Sequence, residues 1–163
     1  MTPEFGIEIL RSLPFFAGFS PEEYRMLEGK YDIVAYPKGA IIYNYGDPPG
    51  AFYCVLSGRV AAYLRDDHGR NLFIDYLHRG QYFGIISLLT GESHSVTAEA
   101  FNDSRLVIIK RENFDVLLER IPRMGLDLSR TLSRRLRSRE TARKKVFETE
   151  IIAVMGLSPN SGK

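Results

Sequence analysis

Two stretches of this 163-residue chain hold residue types at spacings that could do chemistry. The first lies between Gly84 and Gly91, where Ile85, Ile86, Ser87, Leu88, Leu89 and Thr90 read as one or two helical turns. A helix start set among strands points spare backbone N–H groups and the positive end of its peptide dipoles at whatever cavity it faces, which suits an anion. The second is C-terminal. An apolar run over 150–155 reads as a strand, and it leads into Gly156-Leu157-Ser158-Pro159-Asn160-Ser161-Gly162-Lys163. That is the G-x-x-x-x-G-K spacing of a phosphate loop, in which Gly156 and Gly162 let the backbone approach phosphate and Lys163 supplies charge. The serine or threonine that would hold magnesium does not follow, so the stretch cannot hydrolyse a nucleotide as it stands. The expectation is that the natural protein continues into a P-loop NTPase domain that begins at 147–163. No other catalytic arrangement is legible. His68, His78 and His94 fall at expected turns or strand ends without metal-ligand spacing, and neither a Ser-His-Asp set nor a carboxylate pair stands out. The chain is therefore read as no enzyme and as holding no metal.

These stretches need a body to position them, and the composition provides one. Apolar residues make up 44% and charged residues 26%, with ten Phe and nine Tyr, a balance that folds around one core and excludes disordered, collagenous and disulfide-scaffold classes. The single Cys54 sits in the apolar run Phe52-Tyr53-Cys54-Val55-Leu56 and reads as a buried, inert thiol. No segment approaches a membrane span, and Glu4 and Glu8 stand where a secretory signal would be basic. A soluble, cytoplasmic chain is expected.

Residues 1–30 read as short helices, with Ser20-Pro21-Glu22-Glu23 as a helix start. From 31 to 110, short β-branched and aromatic runs recur at 33–36, 40–43, 51–56, 60–64, 72–77, 96–101 and 106–109. Turn chemistry such as Pro37-Lys38-Gly39, Ser57-Gly58 and Asp66-Asp67-His68-Gly69 separates them. No helix of crossover length falls between consecutive runs, so the pairing is antiparallel and the expected fold is mainly β, a jelly-roll barrel with flanking helices. Helices follow over 111–146, the second of them long and opened by Pro122.

That long helix is unusual in charge. Between Pro122 and Lys145 there are nine basic and two acidic residues, a charge of +7 in a chain of +2, which leaves the rest at −5. It is either a solvated face paired with an acidic body or a surface for an acidic partner. Met124, Leu128, Leu132 and Leu136 fall four apart and form a thin apolar stripe, either packed on the barrel or paired with a second copy; a homodimer through 122–146 is expected.

In this order the pieces resemble the cyclic nucleotide-binding domain family, shared by bacterial catabolite activators, cyclic-nucleotide-dependent kinases and gated channels. They are Leu13-Pro14-Phe15-Phe16-Ala17-Gly18-Phe19-Ser20-Pro21-Glu22-Glu23, Tyr36-Pro37-Lys38-Gly39, Phe52 through Val60, and Gly80-Gln81-Tyr82-Phe83-Gly84. The resemblance spans about 10–145 and implies a phosphate-binding cassette over 83–97, with Phe83, Gly84, Ile85, Ile86, Ser87, His94, Ser95 and Val96 as the ligand-binding residues. In the family, a glutamate after the Phe-Gly pair takes the ribose hydroxyl and a later arginine grips the cyclic phosphate. Here those positions hold Ile85 and His94. An isoleucine accepts no hydrogen bond, and an imidazole lacks the guanidinium fork. Together the exchanges cost about 3–5 kcal/mol, or roughly a hundred- to a few-thousand-fold in affinity. Three readings stay open: a pocket empty or filled by its own side chains, a different and more apolar ligand, and cAMP or cGMP at reduced affinity. His94 itself is either structural or a contact for an anion.

The implied function is a regulatory domain that senses a small ligand and signals through its C-terminal helix to a downstream domain. The alternative is a degenerate, non-binding module kept for dimerisation or protein interaction. A transcription-factor effector domain fits less well, because the residues after Lys145 cannot supply a helix-turn-helix, and specific nucleic-acid binding is not expected.

Overall fold

Local chemistry starts the first helices where the sequence places them. The computed structural model describes the backbone of residues 3–154 and the side chains of 6–72 and 75–138. Helix α1 is Pro3–Arg11 and α2 is Pro21–Leu27. Ser20 Oγ accepts from the Glu23 N–H at 3.2 Å while the Ser20 N–H donates to Glu23 Oε2 at 3.0 Å, a reciprocal cap.

Eight strands follow: β1 Asp32–Tyr36, β2 Ile41–Tyr43, β3 Ala51–Ser57, β4 Val60–Arg65, β5 Asn71–Leu77, β6 Tyr82–Phe83, β7 Thr97–Ala100 and β8 Ser104–Lys110. Helix α3, Ile85–Thr90, interrupts them between β6 and β7, and α4, Arg111–Arg120, and α5, Pro122–Val154, close the order. Every pairing is antiparallel, in two four-stranded sheets ordered β1-β8-β3-β6 and β2-β7-β4-β5. The mainly β architecture, the inserted helix and the long last helix match the expectation. The barrel does not: the strands form two separate sheets with β1, β6, β2 and β5 at their edges, a sandwich rather than a closed ring. The two-residue β6 escapes a reading based on runs, being too short to show a period.

Between the sheets, period-two alternation puts Ala51, Tyr53 and Val55 of β3, Phe83 and Leu106 against Tyr43, Val60, Leu77 and Ala98 of the other sheet. The opposite face of β3 is covered as well. Phe52 lies 5.3 Å from Phe15 and stacks on Phe114 of α4 at 5.5 Å, which is why the run 52–56 is apolar without alternation. Cys54 is buried there, and burial pushes its thiol up to about 12, so it is inert as expected.

The chain divides into two compact units, Met1–Ile121 and Pro122–Lys163. In the second, α5 runs on past residue 146 to Val154. The strand expected from Glu150 is therefore helix as far as Val154. The reason is propagation: from Arg139 to Val154 there is neither glycine nor proline, and Glu, Lys, Arg and Ala favour helix, so no stop signal falls within that stretch. Gly156, Gly162 and Lys163 lie outside the described residues. Along the stripe, Met124 and Leu128 are buried, Leu132 is half-buried and Leu136 is 57% exposed. Among the described residues, no helix is long and apolar enough to cross a membrane.

Candidate ligand site

Helix α3 is held by a glycine at each end. Gly84 (φ +78°) and Gly91 (φ +75°) both adopt the left-handed conformation that costs other residues strain. Gly84 has a second reason. A Cβ there would come within 2.9 Å of the Tyr53 ring and 3.0 Å of the Ala51 carbonyl oxygen, so close packing of the helix start on β3 also requires glycine. At the far end, the Gly91 N–H donates to the Ser87 carbonyl at 2.9 Å and Thr90 Oγ1 donates to the Ile86 carbonyl at 2.9 Å.

The cassette residues separate into two groups. Phe83, Ile85, Ser87 and His94 are buried and Val96 packs half-buried against the core, whereas Ile86 and Ser95 face solvent. Ile85, at 1% exposure, is wholly inside. His94, expected on a turn, is 3% exposed, and its ring stacks on Tyr43 with centroids 3.6 Å apart and planes 8° from parallel. Its backbone is tied to the same loop: the His94 N–H donates to the Asp47 carbonyl at 2.9 Å, and the Gly46 N–H donates to the His94 carbonyl at 2.8 Å. Tyr43 in turn lies 5.6 Å from Tyr53 and 6.0 Å from Phe83, while Tyr53 and Phe83 stack at 5.1 Å.

Burial lowers the pKa of His94 below the ordinary imidazole value, and the nearby Asp47 pulls weakly the other way. The ring is consequently neutral near pH 7. Ile85 offers no acceptor to a hydroxyl, and the side chains at both positions that the resemblance assigns to recognition lie in the interior. Sequence reasoning missed Tyr43 and Tyr53, which complete the interior. Their only signal was alternation along two separate strands, and pairing those strands across the sandwich is a tertiary fact. His68 and His78 are exposed, and among the described residues no group of three His, Cys, Asp or Glu could hold a metal ion.

Comparison with known proteins places this geometry. The family description "Cyclic nucleotide-binding domain" matches residues 33–121, from β1 through α4. The Cyclic AMP receptor protein of Thermus thermophilus is 33% identical over 128 residues, 78% of this chain and 59% of that protein. A cAMP-dependent protein kinase regulatory subunit from Aspergillus fumigatus is 28% identical over 109 residues, and the chain spans only 26% of its length. Among solved structures, the Thermus thermophilus catabolite activator protein superposes with a TM-score of 0.73 at 32% identity, over 82% of this chain and 62% of that one. The sensor domain of the transcriptional regulator DNR from Pseudomonas aeruginosa follows at 0.72 and 25%, over 85% and 93%. Taken with the inserted, glycine-bounded helix in an antiparallel sandwich, the match over 33–121 shows that the chain belongs to the cyclic nucleotide-binding domain family.

Proposed function

We propose that the chain is a regulatory domain that responds to a small ligand other than a cyclic nucleotide in the usual pose, and that it signals through α5 to a domain beyond. The observation that carries this reading is the pairing of a retained cassette helix with two replaced handles, Ile85 and His94, both buried among the domain's own side chains. A ligand that displaces His94 from Tyr43 would give the domain a second arrangement, and its preference for one of the two would shift their balance. Cyclic AMP and cyclic GMP then bind at reduced affinity only. The domain beyond α5 is proposed to be a P-loop NTPase on the strength of Gly156, Gly162 and Lys163 alone, since the strand expected before them is helix.

The experiment is calorimetric titration of the wild type and the Ile85→Glu/His94→Arg double variant with cyclic AMP and cyclic GMP. The wild type is expected not to saturate below about 100 μM, and the variant to gain roughly a hundredfold or more. Micromolar binding by the wild type overturns the reading.

A second reading, a non-binding association module dimerised through 122–146, is favoured by the exposure of Leu126 and Leu136 on α5. Light scattering of the wild type against Leu132→Glu tests it. A dimer dissolved by the substitution supports it, and two monomers reject it.

A further inference from the structure

We propose that a second small-molecule site lies on the outer face of the β2-β7-β4-β5 sheet, away from the cassette, and that it takes an amino-acid-sized zwitterion with an apolar or aromatic side chain. Alternation sends Val60 and Ala98 into the core, so the neighbouring positions Ala61 and Glu99, paired across β4 and β7, belong to the other face. On that face lies a cavity of about 220 Å³ whose lining includes Lys38, Tyr63, Asn71, Glu99 and Phe101. It is smaller than the roughly 300 Å³ at which pockets for drug-sized ligands begin, and a ligand of few atoms is what it can enclose.

The charged groups around it are a carboxylate held in place and an exposed lysine. Tyr63 is 2% exposed, and its hydroxyl donates to Glu99 Oε2 at 2.6 Å, which orients the carboxylate and leaves Oε1 with no partner among the described residues. Lys38 is anchored through its backbone N–H to Asp103 Oδ1 at 2.9 Å, while its ammonium makes no bond or ion pair with any described residue. The two groups form no ion pair with one another. The charged residues of the lining are one cation, Lys38, and one anion, Glu99, with Arg65 behind the wall, where its Nε donates to Asn71 Oδ1 at 3.2 Å. The lining pair complements a ligand that carries one charge of each sign, its carboxylate toward Lys38 and its ammonium toward Glu99. The apolar end has a counterpart too. Phe101 is 43% exposed yet held in place, with Tyr76 edge-on at 5.2 Å and the Arg59 guanidinium 5.8 Å from its ring centre. An exposed aromatic ring fixed on its other sides offers contact area at little entropic cost.

The test uses L-phenylalanine as probe, with phenylacetate, which lacks the ammonium, and phenethylamine, which lacks the carboxylate, followed by amide NMR on the full chain. Saturable shifts at 61–63 and 99–101, with none at His94, are expected for L-phenylalanine. Each single-charge analogue should bind at least about tenfold more weakly, as should L-phenylalanine to Lys38→Met and to Glu99→Gln, which keeps the acceptor for Tyr63. The proposal is overturned if L-phenylalanine does not saturate by about 10 mM, if the three probes bind alike, or if the shifts centre on Tyr43 and His94. The analogue comparison needs only the wild type, so it stands even if a variant folds poorly. Because the cassette is untouched by these probes, the outcome is independent of the reading of α3.

Discussion

Replacing Tyr43 with alanine should open the interior beside α3 and register in two unrelated measurements. The ring is buried and touches three others, at 3.6 Å from His94, 5.6 Å from Tyr53 and 6.0 Å from Phe83. Truncating a buried aromatic residue to alanine costs about 3–5 kcal/mol, because transfer energy is lost and a cavity is left that rigid neighbours cannot fill. A domain of this kind has on the order of 5–15 kcal/mol in all, so the loss is a large share of it. With a urea dependence of about 1–3 kcal/mol per molar, the unfolding midpoint should fall by roughly 1–5 M. The second measurement is the histidine titration by NMR. His94 is held below its ordinary value mainly by burial, with Asp47 opposing; removing the ring stacked on it admits water, and its pKa should climb toward 6.5. Tyr43→Phe keeps a ring on His94 and should leave the His94 titration close to wild type. A midpoint shift under about 0.3 M together with an unmoved His94 titration would show that these rings do not pack as described, and the account of a self-filled cassette would go with them.

Two further outcomes follow from the same interior. The His94 pKa lies lower in the folded than in the unfolded chain, so the unfolded state takes up the proton first. Stability should therefore be unaffected by this group above about pH 6.5 and should decline as pH falls below it. His94→Phe, which preserves a ring on Tyr43, should remove that part of the slope in urea midpoints measured at about pH 7.5 and about pH 5.5; an unchanged slope would assign the pH dependence elsewhere. Gly84→Ala combines a left-handed backbone at φ +78° with a Cβ placed 2.9 Å from the Tyr53 ring, and should cost roughly 2–5 kcal/mol in a thermal or urea melt, whereas a loss below about 0.5 kcal/mol would mean that α3 shifts freely.

Much of the fold was legible because its signals are local. Ser20 and Glu23 announce a cap by their spacing, alternation and turn residues mark seven of the eight strands, and Gly84 and Gly91 bracket α3. The misreadings share a cause. A run such as Glu150 to Val154 has no period long enough to tell strand from helix, and the absence of a stop signal upstream, more than the apolar run itself, decided for helix. Closure was misjudged for a related reason: whether eight strands form a ring or two sheets depends on which edges meet, and that is a pairing between strands distant in sequence.

The candidate site divides along the same line. Sequence alone determined which chemistry is missing, since Ile85 and His94 cannot act as a hydrogen-bond acceptor for a ribose and a guanidinium clamp for a phosphate whatever surrounds them. Only tertiary structure decided what those residues do instead. Side-chain burial and pKa follow from neighbours on distant strands, and it is Tyr43, brought across from β2, that turns His94 from an exposed turn residue into a neutral ring in the core. The Lys38 and Glu99 pair is the converse case: two common surface residues far apart in sequence, which line one cavity only because the β1–β2 turn is tied to the end of β7 through the Gly39 N–H and the Ala100 carbonyl at 2.7 Å.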